Sequence, residues 1–154
     1  MKISTSIDIK SSPEVVFGWL ASPEKAMTWM SSVSKTEMLE ERPGMVGSTF
    51  REIVEEAGGS MEMHGTVTGF EPLRSISFHL SSRVNVLDVK YCLEQIPGGV
   101  RVLEDADVAW RFPVSVLSIF MGAKIKQGIL EQLRGEFSKL KKLCEAESRP
   151  QTSS

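Results

Sequence analysis

The sequence predicts an α+β fold in which a curved, seven-stranded antiparallel sheet wraps around one long C-terminal helix. Three observations predict it. An alternating strand opens the chain, and two capped helical starts follow at once. Six segments at hairpin spacing come next, and after Pro113 one long stretch repeats its apolar residues every three or four positions. The expected order is β-α-α-β6-α.

In the opening MKISTSIDIK, Ile3, Ile7 and Ile9 share a face with Thr5, while Ser4, Ser6, Asp8 and Lys10 share the other. That period of two is the mark of a half-buried strand, expected over 2–10. Ser12 then caps a helix whose first residue is Pro13, with Glu14 complementing the dipole in the first turn. Ser22-Pro23-Glu24 repeats the signal and opens a second short helix ending near Trp29.

From Val33 to Arg111 strands alternate with turn residues: Pro43-Gly44, Gly58-Gly59, Pro72-Leu73-Arg74, Ser81-Ser82-Arg83 and Pro97-Gly98-Gly99. The strands are expected near 33–41, 47–57, 60–71, 74–82, 85–96 and 100–111. Leu87, Val89, Tyr91 and Leu93 alternate with Asp88, Lys90, Cys92 and Glu94, so the sheet has one buried and one wet face.

The final helix is expected to run to about Glu147, roughly 50 Å at ~1.5 Å per residue, which is long enough to cross the sheet. Its stripe is Leu117, Met121, Ile125, Ile129, Leu133, Phe137 or Leu140, and Cys144. Between Val114 and Ile125 apolar residues surround much of the circumference, so this part is either buried on several sides or exposed for a purpose. One domain is expected over 1–147, and SRPQTSS from 148 to 154 has the composition of a disordered tail.

With 154 residues and 41% apolar content the chain can bury one substantial core. Its 18 basic and 20 acidic residues are dispersed and leave a formal charge of −2, which points away from nucleic acid as a partner. No apolar run approaches the ~20 residues of a transmembrane helix, and the alternating start does not read as a signal peptide. A cytoplasmic location is the expectation. Cys92 and Cys144 form no CxxC pair and lack a nearby histidine, so both are expected to be reduced and buried, with no metal and no cofactor implied.

Several motifs in this order resemble the START-like superfamily, also called SRPBCC, which includes polyketide cyclases, lipid-transfer START domains and birch-pollen-allergen proteins. Ser12-Pro13-Glu14-Val15-Val16-Phe17 through Ser22-Pro23-Glu24-Lys25 to Trp29 looks like the family's opening. Gly47-Ser48-Thr49-Phe50-Arg51 resembles the strand entry that follows. Gly65-Thr66-Val67-Thr68-Gly69-Phe70-Glu71-Pro72 with Arg74-Ser75-Ile76-Ser77-Phe78 is similar to its central hairpin, and Gly98-Gly99-Val100-Arg101-Val102 to the turn before its last strand. The resemblance spans residues 2 to about 145 and implies a helix-grip fold. Val100 departs from it, standing where many relatives carry a threonine, and so does the unusually apolar start of the last helix. Because that scaffold hosts binders, cyclases, hydrolases and co-chaperone modules, it leaves the function open.

A helix-grip fold leaves space between sheet and helix for a small hydrophobic molecule. The residues expected to line it are Met27, Trp29, Met61, Met63, Phe78, Leu87, Val89, Tyr91, Val108, Trp110, Leu117, Phe120 and Met121. Each could equally be ordinary core. Glu104 is singled out as the one carboxylate in phase with apolar strand neighbours, here Val100, Val102, Ala106, Val108 and Trp110. A regular strand aims it into the pocket, where desolvation raises its pKa toward acid/base use; a bulge in Glu104-Asp105-Ala106-Asp107 returns it to water. Tyr91 is the expected pocket hydroxyl, and His64 and His79 fall on the outer face. No nucleophile–base pair, phosphate loop or metal-ligand spacing is present in the sequence. The leading expectation is therefore binding or transport of a small hydrophobic ligand. One alternative is a polyketide cyclase/dehydratase-like enzyme using Glu104 and Tyr91, and another is an interaction module or homodimer docking through Val114–Phe120.

Overall fold

The computed structural model describes residues 1–56 and 59–148. Along the chain lie β1 (Lys2–Ile9), α1 (Pro13–Ala21), α2 (Pro23–Trp29), β2 (Val33–Glu40), β3 (Thr49–Glu56), β4 (Gly59–Glu71), β5 (Ser75–Ser81), β6 (Asn85–Ile96), β7 (Gly99–Trp110) and α3 (Val114–Ser148). The seven strands form one sheet in the order β1-β7-β6-β5-β4-β3-β2, with every neighbouring pair antiparallel. This is the helix-grip architecture. The first two strands occupy opposite edges, so α1 and α2 carry the chain from one edge to the other. Part of the Gly58-Gly59 turn, and the expected tail from residue 149 on, lie outside the described residues.

Local chemistry explains most element starts. Ser12 caps α1 by accepting the Val15 N–H at 3.3 Å, as its sequence context requires. Ser22 makes no such side-chain bond, so the second helix begins on Pro23 without the expected cap. Gly98, at φ +80, turns β6 into β7, a backbone shape that glycine adopts without steric cost. Gly65 serves packing instead: a Cβ there would fall 2.2 Å from the Phe50 ring, which lies across it from the neighbouring strand.

The helix α3 changes direction at Met121 (φ −120, ψ 15), immediately before Gly122. Ahead of the break the apolar side chains face outward, with Ile119 78% and Phe120 81% exposed. Of the two expectations for this segment, exposure is the one realised. Beyond it, Glu136, Phe137, Leu140 and Cys144 are buried against the sheet and α1. Cys92 is only half-buried, contrary to expectation, because strand alternation turns it away from the face that buries Tyr91. Both cysteines are free.

The interior has two unlike ends. At one, Ile9, Val16, Val100, Val102, Leu140 and Cys144 pack to complete or nearly complete burial. At the other, two smaller clusters, one around Ile3, Ala106 and Val108 and one around Val54, Met61 and Met63, face each other across open space. Phe50, Phe78, Tyr91, Phe137 and Trp29 form a chain of aromatic contacts, with successive ring centroids 5.6 to 6.4 Å apart.

Candidate functional site

The open end holds a cavity of about 400 Å³ bounded by the inner face of the sheet, α2 and the middle of α3. Trp29, Met61, Met63, Phe78, Leu87, Val89, Tyr91, Val108 and Trp110 line it, as their strand and helix phases predict. Four other residues expected there do not. Met27 is 41% exposed, because α2 turns Ala26 and Trp29 inward and leaves the intervening face to solvent. Leu117, Phe120 and Met121 are exposed because they lie at or before the break in α3; the helix meets the cavity from Ile125 onward, through Ile129 and Leu133.

Glu104 points inward and is 4% exposed. The bulge that would have turned it outward does not form: pairing is unbroken from Glu104 through Asp107 on both sides of β7. Its Oε2 has no hydrogen-bond partner. Burial, reinforced by the charge of Glu136, pushes its pKa up to about 8, while the Tyr91 hydroxyl opposite it, as a hydrogen-bond donor, pulls the other way.

Two further carboxylates face the same space. Glu52, on β3 between the inward Phe50 and Val54, is 8% exposed, and desolvation together with the charge of Glu136 raises its pKa to about 7. The phase argument that selected Glu104 applies equally to Glu52, so Glu104 is not alone in that respect. Glu136 occupies the inner stripe of α3 with Leu133 and Leu140, three residues after the one and four before the other. Its Oε1 accepts from the Ser31 N–H at 3.0 Å, the Ser31 hydroxyl at 2.9 Å and Gln132 Nε2 at 3.1 Å. A glutamate amid the helix stripe was the available signal.

Tyr91 is 4% exposed, and its pKa is raised well above the ordinary value by burial first and then by the charges of Glu104, Glu136 and Glu52. As expected, His64 and His79 lie on the outer face, His64 within 3.4 Å of Glu62 and His79 within 2.8 Å of Asp88. Among the described residues no three His, Cys, Asp or Glu side chains are grouped closely enough to hold a metal ion, and no helix is long and apolar enough to cross a membrane. The arrangement can enclose an apolar molecule and hold or exchange protons at two carboxyl groups poised near neutrality.

Solved structures share this architecture at low identity. The ZhuI aromatase/cyclase from Streptomyces sp. R1128 superposes with a TM-score of 0.83 at 12% identity, over 100% of this chain and 99% of its own. A START superfamily protein from Mycobacterium smegmatis gives 0.79 at 18% identity, over 95% and 98% respectively. A protein from Thermus thermophilus gives 0.82 at 12%, over 97% and 100%. At such identities the likeness establishes the fold alone. No curated protein matches the chain. The model of the family described as polyketide cyclase / dehydrase and lipid transport matches residues 1–145, and the chain therefore belongs to that START-like family.

Proposed function

We propose that the protein binds a small, largely apolar molecule in the cavity between sheet and helix. One observation carries this reading: a half-open cavity of about 400 Å³ whose wall is mostly aliphatic, aromatic and thioether side chains, in a fold that elsewhere packs its core solidly. Met61 and Met63 suit such a role, since flexible thioethers adapt to ligands of varied shape. The direct test is titration with Nile red, a neutral solvatochromic dye. Saturable binding at one dye per chain is expected, and Ala106→Trp, which fills the cavity from its wall, is expected to abolish it while far-UV circular dichroism stays unchanged. Absence of saturable binding, or binding indifferent to the filled cavity, would refute the reading.

A second reading is enzymatic, of the cyclase/dehydratase kind. It is favoured by the raised pKa of Glu104, about 8, beside the Tyr91 hydroxyl. A carboxyl group with that pKa retains its proton at pH 7 and is able to deliver it to a carbonyl or hydroxyl leaving oxygen. Incubation with a short poly-β-keto thioester separates the two readings. Turnover that Glu104→Gln removes, with affinity retained, supports the enzyme; binding without product supports the carrier.

A further inference from the structure

Every ionisable side chain on the cavity wall is acidic. Glu52 comes from β3, Tyr91 from β6, Glu104 from β7 and Glu136 from α3, and among the described residues the wall carries no Lys, Arg or His. Buried carboxylates ordinarily meet a cation or a full set of donors, because an unpaired buried charge is costly. Glu136 has three donors on one oxygen. Glu104, by contrast, is nine-tenths or more buried and leaves Oε2 without any partner. The wall thus presents three carboxyl groups to the cavity, and the described residues place no cation on it.

From this geometry we infer that the apolar ligand of this cavity carries a cationic nitrogen, an amine or quaternary ammonium group, which seats against the unpartnered carboxyl of Glu104, with Glu136 and Glu52 on the same wall. This deepens the binding reading above and rests on it. A shared metal ion is disfavoured as the missing charge, since these carboxylates are not grouped as a metal site. Trp29, Phe78 and Tyr91, on the same wall, are the aromatic rings available to an alkylammonium for cation–π attraction. The apolar remainder of the ligand then lies against Met61, Met63, Leu87 and Val108.

The protonation state is consistent with this. Glu104 is raised to about 8 by burial and by Glu136, and Glu52 to about 7 for the same reasons, which is how carboxylates behave when a neighbouring positive charge is lacking. Facing Glu104 are Tyr91 from β6 and Glu136 from α3, while β1 contributes Thr5, which does not titrate; Asp105, on its own strand, adds negative charge, and Glu52 acts from β3 on Tyr91. Ionising Glu104 at pH 7 forfeits about a factor of ten in affinity, which the attraction of a cation seated beside it has to exceed. An arriving cation should therefore displace protons, and cation affinity should rise with pH up to about 8.

The test uses three probes of one chain length, decyltrimethylammonium, 1-decanol and decanoate, titrated below their micellar concentrations and followed by tryptophan fluorescence. At pH 8.5 the ammonium is expected to bind about tenfold tighter than the alcohol and the alcohol tighter than decanoate. The ammonium's advantage should shrink at pH 6, and should be lost at pH 8.5 in the Glu52→Gln/Glu104→Gln double variant while the alcohol still binds. The quaternary group does not titrate, so the pH trend reports the protein. Equal binding of ammonium and alcohol, or a preference for decanoate, overturns the cation inference and leaves the apolar-ligand reading intact. If none of the three binds, both readings fall.

Discussion

The two ends of the interior are built from the same strands and obey the same alternation, yet one is solid and the other hollow. Strand β7 shows the contrast most directly. Its inward residues run Val100, Val102, Glu104, Ala106, Val108 without a break in phase; the first two are fully buried in the packed end, and the last three line the cavity. The difference comes from what stands opposite. Val16 and Phe17 of α1 with Phe137, Leu140 and Cys144 of α3 fill the packed end. Over the other end α3 brings Ile125, Ile129, Gln132, Leu133 and Glu136. Period-2 patterning therefore tells which way a side chain points, while the opposing element decides whether the space it points into is filled.

Substitutions that treat the two ends alike sharpen this contrast. The largest effect is expected from Phe137→Ala, in the packed end beside Trp29 and Tyr91, at about 3–5 kcal/mol of lost stability by chemical denaturation. A loss below ~1 kcal/mol would mean that this end is loosely packed as well. Next comes a pH effect confined to the hollow end. Glu104 keeps its proton to about 8 in the folded protein, whereas an unfolded chain releases it near 4.5. Its contribution is thus fully present below pH 4.5 and is lost as pH rises through 8. Relative to wild type, Glu104→Gln should flatten the fall in unfolding free energy between pH 5 and 8, by an amount on the order of 2–3 kcal/mol. Parallel pH profiles for the two proteins would place Glu104 in a solvated setting.

Met63→Ala, in the cavity wall, should cost about 2 kcal/mol, less than Phe137→Ala, because Met63 already borders empty space and loses fewer contacts. Equal losses in thermal or urea melts would erase the distinction between the ends. The smallest effect is expected from Phe120→Asp. At 81% exposure this ring contributes little to the fold, so stability should stay within ~0.5 kcal/mol. A large loss would show that the first turns of α3 are covered in solution.

Much of the fold was legible because its signals are local. Ser12-Pro13-Glu14 marks a helix start by capping chemistry alone, and Leu87, Val89 and Tyr91 mark a strand face by alternation alone. The site was legible only where it used the same signals. Alternation identified Met61, Met63, Val108 and Tyr91 as cavity-facing positions, and it left Glu104 poised between pocket and solvent because a bulge turns on the partner strands. Glu52 carried the same signal as Glu104 and went unrecognised. Glu136 was missed for another reason: a charged residue beside an apolar helix stripe ordinarily lies at its solvent edge. Here Ser31 and Gln132 satisfy it within the interior.

By itself the sequence determined the order of elements, the inward phase of residues such as Met61, Met63, Tyr91 and Val108, and the outward phase of His64 and His79, since each depends on residues close together in the chain. Only the tertiary structure decided that Glu52, Glu104 and Glu136 share one cavity, because it brings together two strands four places apart in the sheet and a helix that follows both. It also decided the fate of the apolar stripe on α3. The break at Met121 carries Leu117 and Phe120 away from the sheet and leaves Ile129 and Leu133 against it, although helical periodicity treats all four alike. Periodicity records the rotation of a side chain about its own axis, and burial requires a second surface that arrives from elsewhere in the chain.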